Sequence, residues 1–164
     1  MRLKLGLLLS VFSMLLAITS CTKDKLPEPT PENSDEASIW TGPTLVFEKA
    51  PDLDPTLEEN QDRITENVWI TRGTDGGQIY NIKIEPEFDK DTSPQGTRWA
   101  IGTIDEIENL EFKPFRAAVD KPKDVVGKDL VMYLVEDNIY LSVKFTSWGV
   151  EMDGSFAYER STPQ

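Results

Sequence analysis

Along residues 43–164, apolar positions fall in short runs rich in β-branched and aromatic residues, separated by Gly, Pro, Asn and Asp. That is the pattern of strands and turns. Seven runs are predicted as strands: residues 45–50, 68–72, 78–85, 99–103, 130–135, 139–148 and 156–160. Two hairpins are marked. In the first, residues 68–72 lead through Gly73-Thr74-Asp75-Gly76-Gly77 into Ile79 to Ile84, with glycine supplying positive φ in the turn. In the second, residues 130–135 meet Glu136-Asp137-Asn138 and then the longest run, 139–148. Residues 130–135 are apolar on both faces, which predicts a central strand. Alternation in 139–148 sends Ile139, Leu141, Val143 and Phe145 to the core and Tyr140, Ser142, Lys144, Thr146 and Trp148 to the other side. One segment reads as helical, residues 103–110, where Ile104, Ile107 and Leu110 share a face and Thr103 caps the start. Seven strands, one short helix and no βαβ alternation predict a mainly β fold, an antiparallel β-sandwich or barrel of jelly-roll or lipocalin-like size.

Upstream of residue 43 the pattern changes. Arg2 and Lys4 precede an apolar run from Leu5 to Ile18, interrupted by Ser10 and Ser13 and ending in Ile18-Thr19-Ser20-Cys21. The run falls short of the roughly 20 apolar residues of a spanning helix and has the anatomy of a signal peptide over residues 1–20. Its end resembles the lipobox of bacterial lipoproteins, with Ile18 where Leu is usual. The resemblance implies a diacylglycerol thioether on Cys21 and an acylated amino terminus, hence stable attachment to a membrane. The implied address is the bacterial cell envelope, as an outer membrane lipoprotein; ordinary secretion with a free thiol is the alternative. Residues 21–42 are rich in Lys, Asp, Glu, Pro, Ser and Thr, with Pro27, Pro29 and Pro31 spaced two apart, and read as a disordered tether. At about 3.1 Å per residue it would hold a domain up to about 70 Å from the bilayer. The acidic stretch after the cysteine resembles surface-export signals of lipoproteins in the Bacteroidota, with Lys23 and Lys25 departing from that pattern. Residues 43–164 then suit one β-rich domain.

Charge and residue inventory narrow the chemistry. Cleavage before Cys21 removes Arg2 and Lys4 from the 17 basic residues, leaving 15 against 29 acids and a net charge of −14. Such a balance opposes binding to nucleic acid phosphates or anionic headgroups. The chain has no histidine, and the lipobox resemblance implies that its one cysteine is consumed by lipid. Ser-His-Asp triads, His-ligated zinc and thiolate chemistry are therefore closed. Carboxylate-based glycoside hydrolysis, a Ser-Lys dyad and oxygen-only calcium or magnesium sites stay open. No P-loop, dinucleotide fingerprint or internal repeat is present, so no cofactor is expected.

Several clusters are candidates for function. Period-two spacing aligns Tyr140, Lys144 and Trp148 on one face of the long strand, while Phe156, Tyr158 and Arg160 alternate similarly on the next. Aromatic rings beside cations suggest a glycan platform, the alternative being a face packed against a second layer. Trp69, Arg72, Arg98 and Trp99 stand near strand ends beside Gly-rich turns, where recognition often resides; an Arg stacked over a Trp for structural reasons is the alternative. Asp89-Lys90-Asp91-Thr92-Ser93 begins like a calcium loop, but Pro94 replaces the needed glycine and Ala100 the twelfth-position Glu. Asp52, Asp54, Glu58, Glu59 and Asp62 read as a solvated acidic stretch, and Glu136-Asp137 reads as turn residues before a catalytic pair.

Asn60-Gln61-Asp62-Arg63-Ile64, Trp69-Ile70-Thr71-Arg72-Gly73, Gly96-Thr97-Arg98-Trp99-Ala100, Leu134 to Leu141, Ser147-Trp148 and Phe156 to Pro163 together resemble a module that recurs in secreted bacterial proteins and has no assigned activity. The resemblance implies a folded, exported unit and no catalytic residue. The expectation is a lipid-anchored envelope protein whose β domain binds an extracellular ligand, a glycan or a partner protein. The alternatives are a small carboxylate-dependent glycan hydrolase and a purely structural envelope lipoprotein; binding is favoured over catalysis.

Overall fold

The computed structural model describes residues 36–164; Cys21, the signal segment and most of the expected tether lie outside the described residues. The chain is mainly β. In order, the strands are β1 (Ser38–Trp40), β2 (Leu45–Lys49), β3 (Asp62–Arg63), β4 (Trp69–Arg72), β5 (Ile79–Asn81), β6 (Thr97–Ile101), β7 (Asp129–Leu134), β8 (Ile139–Trp148) and β9 (Phe156–Arg160), with one α-helical turn, α1 (Phe115–Val119), between β6 and β7. The large sheet runs β2-β9-β8-β7-β6, antiparallel throughout, and β1 joins β8 in parallel where β9 does not reach. A second sheet, β3-β4-β5, is also antiparallel. Both sheets are open, so the sandwich rather than the closed barrel is the architecture.

One face of the large sheet carries the core. Trp99, Met132, Leu141, Phe145 and Tyr158 from it pack with Ile64, Val68, Ile70 and Ile79 of the small-sheet layer and with Phe115 and Val119 of α1. Phe115 meets Trp99 edge-on at 5.0 Å. The central position predicted for residues 130–135 is realised, since β7 lies between β6 and β8 with Leu130, Val131, Met132 and Leu134 all buried. In the first hairpin Gly76 and Gly77 take the positive φ, +93° and +82°; a Cβ on Gly77 would lie 2.2 Å from a Phe88 ring carbon.

Four local differences have physical causes. The expected boundary at residue 43 falls inside the folded unit: β1 gives hydrogen-bond partners to the stretch of β8 that β9 leaves open, and Trp40 packs on the core. The run 78–85 shortens to β5 because the Ile84 and Glu85 amides donate back to the Asn81 carbonyl, closing a turn. The predicted helix at 103–110 is a 3-10 helix over Ile104–Asn109, begun by a Thr103/Glu106 capping box, with Ile104, Ile107 and Leu110 half-buried. Finally α1, which the strand-like reading does not contain, forms where Phe115 and Val119, four apart, present one apolar face to the core.

Candidate functional site

The proposed alignment of Tyr140, Lys144 and Trp148 is broken by a β-bulge. In the β8/β9 ladder Val143 pairs with Arg160 and Phe145 with Tyr158, but then Ser147 pairs with Ala157 and Trp148 with Phe156. One extra residue, Thr146, is accommodated on β8, and every side chain beyond it changes face. Trp148 therefore joins the core side, against Phe115, Phe145 and Phe156, with the Arg72 guanidinium 4.4 Å over its ring. Tyr140 and Lys144 stay on the opposite face.

The other aromatic and cationic candidates are structural. Tyr158 and Arg160 point inward to Asp62: the Tyr158 hydroxyl donates to Oδ2 at 2.6 Å, Arg160 Nε to Oδ2 at 2.7 Å and Nη2 to Oδ1 at 2.9 Å. Burial alone would lower the Arg160 pKa, but its hydrogen bonds to Asp62 and that carboxylate's charge leave it raised. Burial, then Asp62, pushes the Tyr158 phenol well above its ordinary value. Asp62 is thus not part of a solvated acidic loop but the anchor of the small sheet to β9. Arg72 is buried and donates to the carbonyls of Gly77, Gly149 and Ser155, tying the first hairpin to the β8-β9 turn. Trp99 is fully buried, its Nε1 donating to Thr97 Oγ1. The Trp69 ring carries two cations, the Arg63 guanidinium at 4.2 Å and the Lys83 ammonium at 4.4 Å from its centre, and its Nε1 donates to the Thr65 carbonyl. Arg98 alone of that cluster is exposed.

What the strand register does assemble is a row across the outer face of the large sheet. Arg98 on β6 lies opposite Tyr133 on β7, Tyr133 opposite Tyr140 on β8, and Tyr140 beside Ile39 on β1. Tyr133 and Tyr140 stack at 4.4 Å with their planes 21° apart, and Phe112, at the end of the loop after the 3-10 helix, closes on Tyr140 at 5.3 Å. All three rings are half-exposed. The Tyr133 hydroxyl donates to Asn138 Oδ1, and burial followed by the neighbouring Tyr133 raises the Tyr140 pKa. Further along the same face Asp129 pairs with Lys144 across the β7/β8 ladder at 2.9 Å. Beside that pair a groove of about 280 Å³ is lined by hydroxyls of Thr44, Thr103 and Ser142 and carboxylates of Asp105, Asp129 and Glu159. Tyr133 and Phe112 escape sequence reasoning because one sits in a continuously apolar strand and the other in a loop. Only the cross-strand register reveals them.

The acidic candidates resolve as structural elements. Asp89 Oδ1 accepts from the amides of Asp91 and Thr92 and from Thr92 Oγ1, bonds that lower its pKa and hold its own loop. Among the described residues no group of three or more acidic ligands converges on a point where a metal ion could sit. Asp137 is a turn residue that accepts from Thr65 Oγ1 at 2.7 Å and Asn67 Nδ2 at 2.9 Å, fastening the β3-β4 loop to the second hairpin. The two buried carboxylates among the described residues, Asp62 and Glu85, belong to separate networks, Glu85 accepting from the Ser93 hydroxyl and the amides of Asn81 and Gln95. Comparison of the chain with protein-family models, with curated proteins and with solved structures gives no match.

Proposed function

We propose that this protein is a lipid-anchored envelope protein whose β domain binds an extracellular glycan on the outer face of its large sheet. The observation that supports this most is the row of exposed Arg98 and half-exposed Tyr133 and Tyr140, capped by Phe112 and lying on the same face as the hydroxyl- and carboxylate-lined groove. Flat rings cover the apolar faces of sugar rings, while hydroxyls, carboxylates and a guanidinium satisfy the sugar hydroxyls around them. Binding is favoured over catalysis in that, of the groove carboxylates, Asp129 is tied to Lys144, and the buried acids Asp62 and Glu85 are engaged in structure.

Glycan binding is tested on a panel of immobilised polysaccharides with the wild-type protein and the Tyr140→Ala variant. The expected result is a loss of about tenfold in affinity, the weight of one central aromatic contact, with an unchanged melting temperature. Equal binding by the Tyr133→Ala/Tyr140→Ala double variant would refute this reading. The anchor is tested separately: Cys21→Ser should move the protein from the membrane fraction to the soluble fraction, and retention of the variant in the membrane fraction would refute lipidation.

A further inference from the structure

On the opposite side of the large sheet from the tyrosine row, a second cavity of about 260 Å³ is lined by Gly77, Arg116, Lys121, Pro122, Lys123 and Trp148. Its charge is anomalous for this chain. The sequence carries 29 acids against 17 bases, yet three of the bases converge on this one cavity and, among the described residues, no carboxylate lines it. Among the described residues none of Arg116, Lys121 and Lys123 forms an ion pair, whereas Arg63, Lys113, Lys144 and Arg160 all do. The nearest acids along the chain, Asp120 and Asp124, are exposed and outside the lining. Arg116 Nε is buried and has no hydrogen-bond acceptor. An unsatisfied buried donor on a cation is costly, and guanidinium groups are matched to planar or tetrahedral oxyanions.

Two of the elements that line the cavity, α1 and Trp148, are tied to the core. Arg116 projects from α1, one residue after Phe115, which is locked against Trp99 and Phe145. Pro122 opens a 3-10 turn that carries Lys121 and Lys123 on either side of it, and Pro122 itself is buried. Trp148 is clamped under Arg72, whose guanidinium is fixed by three backbone carbonyls, and that buried cation adds to the positive field. A cavity of this size lies just below the roughly 300 Å³ at which small-molecule sites begin. It suits one charged group and the ring that bears it, not an extended chain.

We infer that this cavity is an oxyanion site, built from Arg116, Lys121 and Lys123 against Trp148, that takes a single carboxylate, sulfate or phosphate group carried on a small molecule such as an acidic sugar. It is independent of the tyrosine row, which lies on the other face of the sheet. The bulge at Thr146 that carries Trp148 away from the row is what brings it to this site.

The test is calorimetric titration of the protein at constant ionic strength with glucuronate, inorganic sulfate and inorganic phosphate in separate arms. Saturable binding in at least one arm is expected, and the tightest arm identifies which oxyanion the site prefers. The Lys121→Gln/Lys123→Gln variant, which alters two exposed side chains, should keep its melting temperature and lose about tenfold in affinity. Arg116→Gln should lose more, and Lys144→Gln, on the other face, should bind as wild type. No saturable binding in any arm overturns the inference, as does binding that is equally strong in the double lysine variant. A loss in Lys144→Gln as large as in the double variant also overturns it, because the anion would then be reporting general charge. Tyr140→Ala is expected to leave anion binding intact, so failure here and failure of the glycan reading are separate results.

Discussion

The Asp62→Asn substitution places the heaviest demand on this structural account, because it asks whether Tyr158 and Arg160 are scaffold and not site. The Asp62 and Arg160 side chains are only 5% and 6% exposed, and the carboxylate accepts three hydrogen bonds, two from the guanidinium and one from the phenol. Asparagine keeps the shape but replaces one acceptor oxygen with a donor facing Arg160 and Tyr158. It also leaves the guanidinium buried without a counter-charge. Breaking a buried pair from one side costs about 3–5 kcal/mol, against about 0–1 kcal/mol for an exposed pair. A domain of this size is stable by about 5–15 kcal/mol, so the substitution should remove a fifth or more of the total. In urea, where slopes for small domains are about 1–3 kcal/mol per molar, the midpoint should fall by at least about 1 M with the slope unchanged. Equilibrium urea unfolding followed by tryptophan fluorescence at pH 7 measures this. A loss below about 1 kcal/mol would show that the Asp62–Arg160 pair does not anchor the small sheet and would return Arg160 to the candidate ligand residues. Replacing the whole cluster, with Asp62→Leu, Tyr158→Phe and Arg160→Met together, should recover most of the loss, since the penalty lies in the orphaned charge.

Two further predictions concern the core side. Trp148→Ala should cost about 3 kcal/mol, the lower end for a buried aromatic because the indole is half-exposed, and should leave glycan binding at the tyrosine row unchanged; intact stability with lost glycan binding would show that the bulge does not reorient the side chain as described. Lys49 is 1% exposed and donates one bond, of 3.3 Å, to the Gly154 carbonyl; burial and then the Arg72 charge lower its pKa below the ordinary 10.5. Between the lowered value and 10.5 the unfolded chain binds the extra proton, so this residue makes stability rise with pH in that window and detracts from it below. Lys49→Met should therefore stabilise the protein at pH 7, with an advantage that narrows as pH climbs toward 10.5; a destabilised variant at neutral pH would contradict this.

Much of the β framework follows from period-two patterning, because it reflects a local rule. Alternation in residues 139–148 predicts β8 to the residue, and the two-sided apolar run 130–135 marks β7 as central, since only a strand covered on both faces can carry Leu130, Val131 and Met132 in succession. The absence of histidine, the single cysteine and the acidic balance are likewise properties of composition that no folding changes. Tertiary structure decided the identity of the candidate sites. One inserted residue at Thr146 reversed the face of Trp148, and no pattern within β8 announces a bulge whose cause lies in its pairing with β9. Arg160 and Asp62 are 98 positions apart, so that a charged residue in an apparently solvated acidic stretch is a buried anchor emerges only when β9 and β3 are brought together. The same holds for the Tyr133/Tyr140/Arg98 row and for the meeting of the segment that carries Arg116, Lys121 and Lys123 with Trp148 of β8. Each is a coincidence of side chains from separate segments, and proximity of that kind is a property of register and packing.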